Sequence, residues 1–227
     1  MSDTKATYDA VLAALEGRKS VRGYRPEPIP RPRLEALLAA AQRAPSWCNI
    51  QPWRVWVTSP PMTGRLREAV LAAARSGLPG PDLPFPMDYP EPYLAHRRAC
   101  GHALYGAMGI ERQDKARRYD AWLRNYELFD APHVAVVTRD RRLGEYATLD
   151  VGVWLGVLIT AAATLAIDLC PMAALAAYPQ PLRQLLAIPD EHVVLFGIAL
   201  GSEDPSVPAN ACRTGRDPLA SNVTFVD

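Results

Sequence analysis

What this 227-residue chain lacks narrows the possibilities before any motif is read. It has no charge excess, 25 Lys and Arg standing against 24 Asp and Glu for a formal net charge of +1, so nothing draws the whole molecule to nucleic acid or an anionic membrane. Any anion it binds must be held locally. The paired arginines Arg97-Arg98, Arg117-Arg118 and Arg139 to Arg142 are interrupted by acids and make no nucleic-acid stripe. Cysteine is sparse: Cys48, Cys100, Cys170 and Cys212 form no C-x-x-C pair, which excludes a zinc knuckle and a disulfide scaffold and leaves free thiols. The opening MSDTKATYDA has no basic stretch followed by an apolar one, so no secretory signal is read and the cytoplasm is the expected compartment. Long hydrophobic runs are missing too, with one exception. Residues 151–167 carry no charge, yet fall short of the roughly 18 to 20 residues a membrane span needs and lack flanking Lys or Arg. A buried helix is the better reading, and its Gly152, Gly156, Ala161, Ala162 and Ala163 suit close approach at a core or dimer interface.

Familiar catalytic motifs are absent as well: there is no G-x-S-x-G, H-E-x-x-H, Walker loop or strand-bound G-x-G-x-x-G. His96, His102, His133 and His192 are scattered, and the last two stand at strand starts, where a structural role is expected. Chemistry carried by a bound cofactor needs no nucleophile or base from the chain.

What is present reads as an α+β fold of one domain. Helical periodicity covers residues 7–17 (Val11, Leu12, Leu15), 31–43 and 62–75. Strands are expected at 54–59, 133–138 and 193–201, with a short β-like piece at 223–226. The apolar run lies within a helix over 144–167, and the segment 168–179 reads as a loop and short helix. Six prolines and two glycines between Gly77 and Pro92 make a long irregular loop, and helices follow at 93–108 and 113–126. Residues 77–128 are read as one insertion lying over the core.

Two basic clusters sit in proline-bracketed turns beside a small hydroxyl residue. Arg18, Lys19 and Arg22 flank Ser20, and Arg213 and Arg216 flank Thr214. Guanidinium forks and hydroxyls suit phosphate oxygens; solvated surface charge is the competing explanation for any one of them. The run R-K-S-x-R at 18–22, then A-P-S-x-x-N-x-Q-P-W at 44–53, then R-x-x-R-x-P-L at 213–219, in that order along nearly the whole chain, resembles the FMN-dependent nitroreductase family. The insertion is similar to the branch containing nitrobenzoate reductases.

The resemblance implies a central mixed sheet flanked by helices, an intertwined homodimer, and tightly bound FMN at the subunit interface. It implies reduction by NADH or NADPH and a ping-pong reduction of nitroaromatic compounds. Arg18, Ser20, Arg213 and Arg216 match the positions that hold the FMN phosphate, with Lys19 adding contacts. Arg22 matches the basic residue at the flavin N1 and O2 edge, where a fixed cation favours the reduced, anionic flavin. Pro45, Ser46, Asn49 and Gln51 match a loop that reaches the flavin of the other subunit, although Asn49 also suits a simple turn cap. Pro171, Met172, Ala173 and Ala174 match the segment whose backbone N–H meets flavin N5; Met172 and Ala173 depart from an acidic residue and glycine found in some relatives. Trp47, Tyr93, Trp122 and Phe129, with Tyr89, are candidates for stacking on an aromatic substrate, each equally suited to packing. Quinone or enone reduction, reductive dehalogenation, or a non-catalytic FMN-binding module are the alternatives.

Overall fold

β-Branched and apolar runs form the strands where their alternation can be buried. The computed structural model describes residues 2–226. Its strands are β1 (Arg54–Thr58), β2 (His133–Asp140), β3 (Asp168–Met172) and β4 (His192–Gly201), in one sheet of order β1-β2-β4-β3. Three were legible as apolar runs. β3 was expected as loop because Pro171 interrupts it; it survives because it is an edge strand pairing only with β4, where a missing N–H is tolerated. All three pairings are antiparallel, which corrects the expected mixed sheet. The crossover from β2 to β3 does return the chain in the same sense, but β4 inserts between them, so no adjacent pair is parallel.

The helices are α1 (Ser2–Gly17), α2 (Arg31–Ala41), α3 (Met62–Ser76), α4 (Tyr93–Ala107), α5 (Lys115–Leu123), α6 (Glu145–Thr164) and α7 (Pro179–Leu186). Their ends follow local chemistry. Proline stands in the first turn of α2 and α7, where its missing N–H costs nothing. The Asp114 side chain caps α5 by accepting from the Arg117 N–H at 3.0 Å, and α7 stops at Ala187 in the left-handed region, φ 52°.

The sheet divides two cores. Val134 and Val136 face one, with Leu66, Val70, Leu175 and Leu182; Ala135 and Val137 face the other, with Leu37, Trp154, Leu158 and Ile198. Within α6, Val151, Trp154, Leu158 and Ala162 recur at helical spacing and are buried, each large side chain contributing about 1.5–3 kcal/mol. The opposite stripe of α6 is also apolar and is uncovered: Leu149 and Val153 are exposed, as are Gly152 and Gly156. Helix α1, which packs on α6, likewise leaves Tyr8, Val11, Leu12 and Leu15 in solvent.

The proline-rich loop is tied down at its start. The Gly80 N–H donates to Ala177 O at 2.9 Å. The Asp82 carboxylate accepts from Arg183 at 2.6 Å, Val194 N–H at 2.8 Å and Arg141 at 3.1 Å. Burial opposes the Asp82 charge, but these donors outweigh it and hold the carboxyl below its usual range. The tail departs from expectation: residues 223–226 form no strand, and Phe225 and Val226 stand in solvent. A strand needs a ladder partner, and the tail has none in its own chain among the described residues.

His133 and His192 are structural, as expected. The His133 ring is buried, accepts the Ile29 N–H at Nε2 (2.9 Å) and meets Ser59 Oγ at Nδ1 (2.9 Å). Burial pushes its pKa below the ordinary 6.5, and the Ile29 bond also requires a bare Nε2. The folded value lies below the unfolded one, so the stabilisation is complete above pH 6.5 and is lost as pH falls from there through the folded value. Thermal melts should therefore show wild type losing more stability between pH 7.5 and 5.5 than His133→Gln does; equal losses would contradict this assignment.

Candidate cofactor site

The basic segment 18–24 is not a free turn. Arg18 N–H closes α1 on Ala14 O (3.2 Å), Val21 N–H donates to Leu169 O of β3 (3.2 Å), and Tyr24 N–H donates to Phe129 O (3.2 Å). Val21 and Tyr24 are buried, which leaves Arg18, Lys19, Ser20 and Arg22 half-buried along the edge of the sheet. Gly23 is required here for space, since a Cβ would meet Val207 at 2.5 Å.

The second cluster arrives through the short 3-10 turn Pro208–Ala211. Arg213 lies with Arg18, Lys19 and Ser20 around a cavity of about 410 Å³, walled by Ala13, Ala14 and Gly17 of α1, by the C-terminal end of α6, and by Pro171. Lys19 is not available as drawn from sequence: its Nζ is held by Glu203 at 2.5 Å and by Asn210 O at 3.0 Å, so its charge is neutralised. Arg18, Arg22 and Arg213 have no carboxylate within ion-pair distance among the described residues. Arg216 does not line the cavity; it is exposed and bonds its own turn at Thr214 and Gly215. Two guanidinium groups without an acidic partner, beside a hydroxyl and a groove of small side chains, make a donor set that fits a phosphate-bearing group.

Pro171 of β3 reaches the cavity, while Met172 turns its side chain into the core. Ala173 is exposed and Ala174 half-buried at the start of the 3-10 turn Ala173–Ala177, where the opening N–H groups have no partner within the turn. Beneath lies Cys170, its thiol pushed up by burial, with Arg22 and Ser20 partly offsetting this.

A second cavity, about 510 Å³, is lined by Arg22 and lies between the α4–α5 pair and residues 207–209. Leu104, Met108, Ala121 and Phe129 form its apolar wall. Of the four aromatic candidates only Phe129 is there. Tyr93 is exposed beside His96, Trp122 stacks on Tyr119 (5.6 Å) and meets Tyr126 (4.8 Å), and Trp47 is elsewhere. Arg124, missed in the sequence, also lines this cavity; burial works against its charge, but Asp130 (2.5 Å) and Glu127 (2.6 Å) hold the guanidinium firmly protonated. The spacing of Arg124 and Glu127 was the available signal.

The loop carrying Pro45, Ser46, Asn49 and Gln51 is brought to none of these. Trp47 N–H donates to both Asp150 oxygens (3.1 and 3.2 Å), and its ring meets Tyr146 at 4.6 Å. Gln51 N–H donates to Ser46 Oγ (3.0 Å), and Gln51 Nε2 to Asn49 O (3.0 Å). Asn49 is exposed, and its carbonyl rather than its carboxamide takes that bond. Cys48, Asn49 and Gln51 all have positive φ (47°, 56°, 48°), a conformation costing about 1–3 kcal/mol each and retained where surrounding contacts enforce it. Asp150 anchors this loop near the N-terminal end of α6, whereas Ala162 and Ala163 near the other end line the cation groove. Twelve residues of helix separate Asp150 from Ala162, about 18 Å. The loop and the cation groove thus lie at opposite ends of one helix.

The family model described as the nitroreductase family matches residues 15–202. A 4-nitrobenzoate reductase of Nocardioides sp. (strain LMS-CY) is 32% identical over 96% of this chain and 90% of its own. A nitrobenzene nitroreductase of Ectopseudomonas oleovorans is 33% identical over 93% and 95%. Among solved structures, the FMN-dependent nitroreductase NfnB from Mycobacterium smegmatis in complex with NADPH superposes with a TM-score of 0.94 at 28% identity, covering 97% of this chain and 100% of that one.

Proposed function

Because the chain belongs to the nitroreductase family, we propose that it is an FMN-dependent NAD(P)H oxidoreductase that reduces nitroaromatic compounds as a homodimer. The observation that carries this reading is the pair of partial sites at opposite ends of α6, joined by a helix face that is apolar, rich in small residues and uncovered. Two-fold pairing along α6 would set the loop of one copy over the cation groove of the other. It would also cover the apolar faces of α1 and α6.

Within this arrangement Arg18, Ser20 and Arg213 hold the FMN phosphate, with Lys19 contributing through its backbone and Arg216 from its exposed turn. Arg22, in the wall of the second cavity, would meet the pyrimidine edge, and the N–H groups of Ala173 and Ala174, beside Pro171, would serve N5. Pro45, Ser46, Asn49 and Gln51 of a second copy close the site, so dimerisation and cofactor retention are linked. The chemistry FMN supplies when bound is hydride transfer from a reduced nicotinamide to the nitro group. The chain's task is to orient the two reactants and exclude water. The 510 Å³ cavity beside Arg22 has the volume of a small-molecule pocket and an apolar wall for an aromatic acceptor.

The test is an anaerobic visible spectrum followed by NADH or NADPH and then 4-nitrobenzoate. Flavin absorbance that bleaches with the nicotinamide and returns with the nitro compound is the expected result. Flavin that never bleaches would favour a binding module, and no flavin after reconstitution would overturn the reading.

A further inference from the structure

Asn210 has no surface on which to act directly: it is 2% exposed, in the turn Pro208–Ala211. Yet its polar groups are bonded to both basic clusters. Oδ1 accepts the Arg22 N–H at 2.6 Å, and Nδ2 donates to Gly23 O at 2.9 Å and to Asp204 O at 2.8 Å. The backbone oxygen of Asn210 accepts Lys19 Nζ at 3.0 Å and Arg213 Nη1 at 3.1 Å. One residue therefore joins the strand-edge segment 19–23 to the turn that carries Arg213, and its bond to Arg22 spans 188 residues of chain.

We propose that Asn210 is the positioning residue of the cation groove: it fixes the segment 19–23 against the turn that carries Arg213 and so makes the groove selective for a phosphorylated flavin. The inference rests on the reading of that groove as the FMN phosphate site. Arg18 and Arg213 come from elements far apart in the chain, and both guanidiniums carry like charge, so they separate unless something neutral holds their backbones together. Lys19 and Glu203 pair with each other and cancel, and Arg18 and Arg213 outweigh Asp168 in the remaining lining, which leaves a net positive groove. A carboxamide suits this place because Oδ1 faces an N–H while Nδ2 faces two carbonyls; no side chain offering only acceptors or only donors satisfies all three.

A merely structural Asn would affect every flavin alike; a residue that positions the phosphate donors should weaken FMN more than riboflavin, which shares only the ring edge that Arg22 would meet. Full-length protein is stripped of flavin and titrated with FMN and with riboflavin, wild type beside Asn210→Ala, with a thermal melt to verify folding. Expected is an FMN affinity lower by roughly 10- to 100-fold, the range found when groups that orient metal ligands are removed, with a clearly smaller loss for riboflavin, so that the FMN preference shrinks. An unchanged ratio of the two affinities, whether both hold or both fall, overturns the proposal. If the alanine variant does not fold, Asn210→Ser carries the same comparison. Wild type binding neither flavin would instead refute the reading of the groove on which the proposal rests.

Discussion

Replacing Arg18 and Arg213 together by alanine is expected to cost the protein its flavin without unfolding it. Each guanidinium bond to a phosphate oxygen contributes about 1.5–3 kcal/mol as a charged hydrogen bond. The double variant should therefore bind FMN on the order of 10²- to 10⁴-fold more weakly. The fold should be indifferent, since neither residue has a carboxylate that its loss would leave unpaired among the described residues, and removal of two like charges from one groove relieves repulsion. Titration of stripped protein with FMN, with a melting curve alongside, separates the two effects. An affinity within threefold of wild type would remove Arg18 and Arg213 from the site; a collapsed melting curve would show that they hold the fold instead. Lys19→Ala is a poor substitute for this experiment, because it leaves Glu203 unpaired.

Gly156→Glu addresses the second half of the proposal, the closing of the site by another copy. Within one chain the substitution meets nothing: a Cβ at Gly156 has no heavy atom within 4 Å, and glutamate favours the helix over glycine by several tenths of a kcal/mol. A lone chain should be as stable as wild type or slightly more so. Against a second copy packed on the small-residue stripe of α6 the outcome reverses, since two-fold symmetry buries the new carboxylate twice and without a partner, at a cost of several kcal/mol per charge. The expected result is a monomer by light scattering at micromolar concentration, folded, and with its flavin released. A variant that remains dimeric and yellow would place the interface elsewhere and detach the loop at 45–51 from the flavin.

Some of this was readable in the sequence because it is local. The uncharged run from Val151, the apolar strands at β2 and β4 and the proline-ended helices depend on periodicity and turn chemistry spanning a few residues, and those survive in any tertiary context. The structural role of His133 and His192 was legible from their place at strand starts. Boundaries moved where the decisive contact was distant. Pro171 argued for a loop until the sheet placed β3 at its edge, and Val11, Leu12 and Leu15 argued for a core that one chain does not provide.

The site divides the same way. Residue types alone left solvated surface charge as good an account of each arginine; it was the order of the motifs, through their resemblance to the nitroreductase family, that marked Arg18, Ser20, Arg22 and Arg213 as candidates for holding a phosphorylated flavin. Their availability was not readable. Lys19 belongs to the same motif, and only the fold decided that Glu203, 184 residues away, would neutralise it. Asn210 and Asp150, which hold the turn of Arg213 and the loop at 45–51 in place, have no local signature at all: an asparagine becomes a hub, and an aspartate an anchor, only when the chain brings their partners to them. Local pattern thus named the groups that could hold an anion. Which cations remain free to hold it, and that the loop and the groove lie at opposite ends of one helix, was decided by tertiary structure, because ion pairing and separation in space are relations between residues that the chain's order does not contain.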